Sequence, residues 1–494
     1  MIVKVEIKKN TYYDSVTLMS LTQRIAALPG VAEAVAVMAT PMNKELLAGV
    51  GLLTDEAAAC GPDDLVIALK ADSEAAWQAA LTEFSGATTK RADDQQTTVS
   101  FATIAGAVRQ LPAANLAIIS VPGEYAAREA RAALRQGLNV MLFSDNVALA
   151  DEVELKKIAH EQGLLLMGPD CGTAIVNGVG LCFANAVRPG TIGVVGASGT
   201  GTQEVTVHIH RLGEGLSQVL GTGGRDLSAE VGGIMMLDCL AALTADPATK
   251  VIVLVSKPPA PAVADKILAA VKAAGKPVVI SFLGGDAAAA TAAGAHFAST
   301  LEGAAQAAVA LARGEKPAAA CRHEELEKMA AAVRPKLAAG QKYIRGLFCG
   351  GTLCKEAEHI AGVAGGGHNF IDLGDDAYTV GKPHPMIEPS LRLPHIAAAA
   401  ADPATAVILL DVVLGYGSHA DPAGVTAPAI AAAKEKARQA GRHLEIIAYV
   451  CGTDTDKQGK AEQERKLAAA GATLAKSNAR GAYLAAAIAK EVAK

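Results

Sequence analysis

The sequence predicts an α/β protein of several domains with parallel sheets. Three observations predict it. From Ala102 onward, short runs of branched aliphatic residues alternate with small-residue turns and alanine-rich stretches of helical length, which is the rhythm of βαβ units. Hydrophobic residues make up 51% of the chain but aromatics only 3%, so Ala, Gly, Val and Ile must fill the cores, as they do where helices cover strands buried on both faces. The 494 residues are about three times a typical domain length, which leaves room for two to four cores.

Taken in order, residues 1–100 read as a small α+β module: VKVEIKK as strand, SVTLMSLTQRIAAL as helix, VAEAVAVM and LVIALKA as strands, then a helix to Phe84. The polar KRADDQQTTVS that follows lacks periodicity and reads as a linker or exposed loop. Residues 101–188 open the α/β rhythm with NLAIISVPGEYAAREARAALRQGLNVMLFSDN and ELKKIAHEQGLLLMGPDCGT. The rhythm restarts in residues 189–318 with TIGVVGASGTGTQEVTVHIHRLG and runs through KVIVLVSKPPAPAVADKILAAVKAAGKPVVISFLGG. Residues 319–342 read as a helical linker. Residues 343–494 open with KYIRGLFCGGTLCKEAEHIAG, are interrupted by GGGHNFIDLGDDAYTVGKPHPMIEPSLRLP, and resume with TAVILLDVVLGYG, HLEIIAYVCGT and an alanine-rich helix. GVVGASGTGTQE and GLFCGGTLCKEAE each set a strand, a Gly-Thr turn and a helix in succession, so these two blocks read as a related pair.

Composition excludes several functions. Forty-five basic residues against 50 acidic ones leave a net charge of −5 with no Lys/Arg run, which argues against a nucleic-acid groove. The opening MIVKVEIKKN is not a signal peptide, and no apolar run approaches the ~20 residues of a membrane span. Eight cysteines are scattered without any CxxC pair, which fits reduced cytoplasmic thiols and neither a metal site nor a disulfide framework.

Three segments can carry chemistry. Ser198-Gly199-Thr200-Gly201 follows an apolar strand and opens a helix, where backbone N–H groups, hydroxyls and the helix dipole favour an anion; an ordinary helix cap is the alternative. Gly350-Gly351-Thr352 repeats that geometry, and two such helix starts facing one pocket would form a phosphate cradle. The insert with Asp375, Asp376, Lys382 and His384 breaks the α/β rhythm and can supply acid, base and anion-binding groups; a surface loop has the same composition. Arg225 in GTGGRD either faces an anion or pairs with Asp226. Asp170 and Cys171 in MGPDCGT, and Ser418 and His419 in GYGSHAD, are weaker candidates. His208, His210 and His296 read as surface residues, and Cys349, Cys354 and Cys451 as small core residues.

At NTYYDSVTLMS, NVMLFSDNV, MGPDCGTAI, GASGTG, GTGGRDLS, SKPPAPA, FCGGTLC, DLGDDAYTVGKPHPMI and DVVLGYGSHADP the chain resembles the FdrA family, bacterial relatives of the succinyl-CoA synthetase superfamily, over essentially its whole length. The resemblance implies a Rossmann-like CoA-binding-type domain over 101–188. It also implies two flavodoxin-like CoA-ligase-type domains, 189–318 similar to the ligase alpha subunit and 343–494 similar to the carboxyl-terminal domain of its beta subunit. Departures matter as well. The ligases carry a phosphoryl group on a histidine in a GHAG segment; KPVVISFLGGDAAAATAAGAHFAST lacks that segment, and His296 lies too far along to inherit the role. The ATP-grasp half of the beta subunit and the GxTGKxG loop that helps hold CoA have no counterpart either.

What the resemblance then implies is a subunit of a phosphate-dependent carbamoyl- or acyl-transfer enzyme of the oxamate carbamoyltransferase type, associated with purine catabolism. Its ligand would be inorganic phosphate or a carbamoyl or acyl phosphate, with CoA admitted as a further ligand. Ser198, Thr200 and Thr352 would bind phosphate, His384 would shuttle a proton, and Lys382 or Arg225 would neutralise charge. Other protein subunits, in a homo- or hetero-oligomer, and a small-molecule substrate are the expected partners. The alternatives are an ADP-forming acyl-CoA ligase component whose ATP-grasp domain comes from a partner, and a noncatalytic scaffold or regulatory subunit.

Overall fold

The computed structural model describes residues 2–11, 13, 15–26, 28–93, 101–318, 324–362, 367–379 and 383–489. The chain divides into two compact units, Met1–Ser100 with Thr379–Pro383, and Phe101–Tyr378 with His384–Lys494.

In the first unit, β1 (Ile2–Lys8), β2 (Val31–Met38) and β3 (Leu65–Ala71) form an antiparallel sheet of order β1-β3-β2. The middle strand is buried on both faces because its alternate residues serve two cores. Leu65, Ile67 and Leu69 meet Leu21, Ile25, Trp77 and Phe84, while Val66 and Ala68 meet Leu47, Leu52 and Ala57. The helix expected to end at Phe84 runs from Glu74 to Asp93. Its last residues include Gly86, Thr88, Thr89 and Asp93, which have low helix propensity, so local propensity does not predict the extension. Residues 94–100, the rest of the expected linker, lie outside the described residues.

The second unit holds three sheets built mainly of parallel strands. β4 (Leu116–Ile119), β5 (Asn139–Leu142) and β6 (Leu166–Met167) form the first, covered by alanine-rich helices such as Gly123–Leu134, whose Ala126, Ala130 and Ala133 are fully buried. The second sheet contains β7 (Thr173–Val176), β8 (Val179–Cys182), β9 (Pro189–Gly196), β10 (Leu216–Gly221), β11 (Val251–Ser256), β12 (Val278–Phe282) and β13 (His296–Phe297), in the order β13-β12-β11-β9-β10-β7-β8. Residues 173–182 thus leave the first α/β block, where the sequence places them, and pair as an antiparallel hairpin along β10. Asn177 and Gly178 turn that hairpin with φ of 50° and 77°, values that Asn and Gly accept most readily.

The third sheet contains β14 (Tyr343–Phe348), β15 (Asn369–Asp372), β16 (Thr405–Val413), β17 (Glu445–Cys451) and β18 (Thr473–Ala475), all parallel, in the order β15-β14-β16-β17-β18. Counted from β9 and from β14, the parallel parts of the second and third sheets share the order 2-1-3-4-5, the flavodoxin-like arrangement. Of the expected linker, residues 319–323 lie outside the described residues, and Glu324–Val333 is helical.

Between these sheets lies a shared layer of four helices, Gly199–Arg211, Leu301–Ala312, Gly351–Ile360 and Asn478–Ala489. One core runs through it from Val194 and Val205 to Phe348, Leu409 and Ala485. Ala304, Ala308, Ala357, Ala482 and Ala485 let the helices approach closely, which explains how so few aromatics suffice. No helix among the described residues is long and apolar enough to cross a membrane.

Candidate functional site

Each flavodoxin-like lobe ends its first strand in a small-residue turn that opens a helix, and the two helix starts touch. In the first lobe β9 gives way to Ser198, which caps Gly199–Arg211: its Oγ accepts the Gly201 N–H at 3.0 Å. The same Oγ donates to Thr352 Oγ1 at 2.5 Å, across 154 residues of chain. Both side chains are buried, Ser198 at 9% and Thr352 at 3% exposure. Two glycines make the approach fit. A Cβ on Gly350 would stand 2.8 Å from Thr200 Oγ1, and one on Gly201 2.9 Å from Thr352 Cγ2.

Asp411 on β16 fixes the second turn by accepting the N–H groups of Cys349 and Gly350, both at 2.9 Å. Arg392, 3% exposed, neutralises that carboxylate through Nη2 at 3.0 Å. The N–H groups of Gly199, Thr200, Gly351 and Thr352 open the two helices and have no intrahelical carbonyl to reach. With the helix dipoles they form a concentrated set of donors for an anion. Thr173 adds to them. Its hydroxyl, 2% exposed and without a hydrogen-bond partner, is the atom nearest a Cβ built on Gly199, at 3.8 Å.

Two charged groups flank the second helix start. Asp372, the last residue of β15, has Oδ2 2.3 Å from the Cβ that Gly351 lacks, and its Oδ1 accepts the Gly374 N–H at 3.0 Å. Burial pushes its carboxyl up to about 6, against the pull of Gly374 and Lys257. Lys257, just after β11, brings Nζ within 3.8 Å of the same Cβ position, and makes no hydrogen bond or ion pair among the described residues.

His384 lies beside this set. Its Nε2 is 2.5 Å from a Cβ built on Gly374, and its ring meets Phe183 at a centroid distance of 5.8 Å. Phe183 in turn is 3.5 Å from a Cβ on Gly172, next to Thr173, so the contacts close into one region. Burial pushes the imidazole down to about 4, so it is neutral at pH 7. Nδ1 accepts the Met386 N–H at 3.2 Å, which leaves the ring proton on Nε2.

The structure thus brings together Ser198, Gly199, Thr200, Gly201, Gly350, Gly351, Thr352 and His384. Arg225 is held elsewhere, neither beside this set nor paired with Asp226: Nη2 donates to Val147 O at 2.8 Å and Nε pairs with Glu152 at 2.9 Å. Asp226 is engaged by Lys156 in the buried interior. Asp375 accepts the Ala377 N–H at 3.0 Å, as a loop-capping residue does. Lys382 and the side chain of Asp376 lie outside what is described. His208 and His210, expected at the surface, are buried because each meets a carboxylate, Glu204 at 3.0 Å and Asp454 at 2.8 Å. Sequence reasoning missed Thr173, Lys257, Asp372 and Asp411, although three of these are polar residues at or near the carboxyl end of apolar strands, where such folds hold ligands.

Comparison with known proteins gives three family models: an AllF heavy metal-associated domain over residues 1–102, a CoA-binding domain over 187–284 and a CoA-ligase domain over 347–488. The CoA-binding match falls on the lobe carrying Ser198, whereas the sequence places a domain of that type over 101–188. YahF of Escherichia coli (strain K12), an uncharacterized protein, is 48% identical over 506 residues, covering 98% of each chain. The alpha 2 subunit of the ADP-forming succinate–CoA ligase of Archaeoglobus fulgidus is 31% identical over 155 residues, 31% of this chain and 52% of that one. The chain thus spans about half the length of that ligase subunit. Among solved structures, ATP citrate lyase from Methanothrix soehngenii, in complex with citrate and coenzyme A, aligns with a TM-score of 0.39 at 18% identity, over 47% of this chain and 46% of that one.

The groups these models imply can be tested against the residues. A heavy metal does not fit residues 1–102: they contain no histidine and one cysteine, Cys60, whose thiol is buried and donates to Glu56 O at 3.3 Å. The site thus lies where a lobe matching the CoA-binding model meets a lobe matching the CoA-ligase model in one polypeptide, and by its full-length likeness to YahF the chain is a member of the FdrA family.

Proposed function

We propose that this chain is a subunit of a phosphate-dependent carbamoyl- or acyl-transfer enzyme of the oxamate carbamoyltransferase type, built on a succinyl-CoA synthetase-like fold. The observation that carries the reading is the meeting of two helix starts at the Ser198–Thr352 hydrogen bond, with the unpartnered Thr173 hydroxyl and the Lys257 ammonium beside it. This is a donor-rich anion site, and the segment after KPVV lacks the ligases' phosphoryl-carrying histidine motif.

In phosphorolysis a phosphate oxygen bonds to the carbamoyl carbon and the bond from that carbon to the leaving nitrogen breaks. The proton of the attacking hydrogenphosphate ends on that nitrogen. Ser198, Thr200, Thr352 and the free N–H groups would hold the phosphate, and Lys257 would balance its charge. His384 is neutral with its proton on Nε2, so its role becomes donation to the developing oxyanion, and the proton shuttle passes to another group.

The test is carbamoyl phosphate formation by the chain co-purified with its genomic neighbours, given phosphate and a panel of carbamoyl donors including oxalurate and citrulline-like compounds. The reading expects phosphate-dependent product that falls at least about 100-fold in a Ser198→Ala/Thr352→Val variant. A second reading, an ADP-forming acyl-CoA ligase component, is favoured by the CoA-ligase and CoA-binding matches and the ligase alpha relatives. Thioester formation with ATP, CoA and a partner chain, together with no product from any carbamoyl donor, would select it.

A further inference from the structure

Asp372 places one group that can only accept in a site otherwise made of groups that can donate. We propose that Asp372 makes the cradle selective for protonated tetrahedral oxyanions of the phosphate class and turns away fully ionised ones such as sulfate. The inference rests on the anion-site reading above and adds the ligand class that the site admits.

Position comes first. Asp372 Oδ2 occupies the space a Cβ on Gly351 would need, so the carboxylate stands directly against the first residue of the second helix. Its other oxygen is tied to the Gly374 N–H, which fixes the group's orientation. Lys257 Nζ approaches the same point without forming an ion pair, so the carboxylate keeps an oxygen available to a ligand. Across the site the buried, unpartnered Thr173 hydroxyl faces Gly199 at the other helix start, an orphaned polar group that a bound oxyanion would satisfy.

Chemistry then discriminates. At pH 8 hydrogenphosphate and sulfate are tetrahedral dianions of nearly equal size, and hydrogenphosphate alone carries an O–H. The N–H groups and Lys257 only donate and serve either ion equally, and the Thr173 hydroxyl can turn to donate to either ion, so none of them sets the two apart as an obligate acceptor does. An ionised carboxylate accepts only, so it is satisfied by P–O–H and repelled by a bare sulfate oxygen. Sites built to hydrogen-bond a ligand hydroxyl reject analogues that lack it far more strongly than apolar pockets discriminate by size. In the proposed reaction the same contact would receive the proton that leaves phosphate as its oxygen bonds to carbon.

The experiment is calorimetric titration of the full chain at pH 8 with phosphate, arsenate and sulfate. Wild type is expected to bind phosphate and arsenate at least about tenfold more tightly than sulfate. Asp372→Asn keeps the acceptor for Gly374 and adds a donor, and should bring the three ions within about threefold of one another. Lys257→Met should weaken all three alike. Sulfate binding to wild type as tightly as phosphate, or a full gap retained in Asp372→Asn, would overturn the inference while leaving the anion site standing. Binding of none of the ions to wild type would overturn the anion-site reading and this inference with it. The wild-type ranking decides the matter even if the variant fails to fold.

Discussion

The contact between the two helix starts can be weighed by removing each hydroxyl. Ser198→Ala loses two interactions: the cap on the Gly201 N–H, typically about 1 kcal/mol, and the bond to Thr352, about 1 kcal/mol more, with the Thr352 hydroxyl left buried and unpaired. Thr352→Val loses only the second, because its own helix is capped by Gly350 without a side-chain bond. The expected costs are therefore about 2 and about 1 kcal/mol, and the double variant should cost about 2 kcal/mol, short of the sum by the one shared bond. Urea unfolding followed by circular dichroism and by fluorescence supplies the assay and an internal control. Trp77 is the chain's single tryptophan and sits in the core of the first unit at 7% exposure, so its signal reports that unit. The substitutions should move the dichroism transition of the second unit and leave the Trp77 transition in place. Full additivity of the two changes, or a Ser198→Ala cost no larger than that of Thr352→Val, would refute the reasoning.

Three further outcomes follow from the same contacts. Gly350→Ala drives a methyl into Thr200, with three atoms at 2.8–2.9 Å, and should destabilise the second unit by about 1–3 kcal/mol in the same assay. Asp411→Ala strands Arg392 in the interior and removes the acceptor for two N–H groups, so a loss of about 3–5 kcal/mol is expected, well above that for the surface variant Glu435→Ala. Glu356, enclosed with Leu301 N–H and Asn478 as partners, is pushed up to about 8 by burial, so the folded state holds its proton more tightly than the unfolded chain. Its contribution is thus present below about 4.5 and lost as pH rises to about 8. Glu356→Gln should erase that part of the decline, and a stability difference from wild type that stays constant between pH 5 and 9 would count against it.

How much was legible in the sequence follows from what each residue answers to. β11 is buried throughout and opens with the unbroken apolar run Val251–Val255, and β9, β14 and β16 are mostly apolar around Thr191, Arg345 and Asp411, so the parallel sheets were visible locally. Ser198 and Gly350 were visible too, because a turn of small residues between such a strand and a helix is a local signature. Asp372 and Lys257 were not, since each gains its meaning from Gly351, a neighbour in space carried on a different strand-to-helix turn. Arg225 misled for the same reason: its loop is glycine-rich, but its partners, Val147 and Glu152, lie in the first α/β array. The 173–182 hairpin had a local signal in Asn177-Gly178, hidden by the strong βα rhythm on either side. His384 was visible as a residue but not as an environment, because only packing against Gly374 and Phe183 holds it neutral.

The central claim is that two helix starts from two lobes make one phosphate site. Titrating inorganic phosphate into the full chain and into a folded Ser198→Ala/Thr352→Val variant tests it most directly. The account predicts a single phosphate per wild-type chain and affinity at least about tenfold weaker in the variant. Phosphate binding that is unchanged when both hydroxyls are gone, or no binding to the wild-type chain, would contradict it.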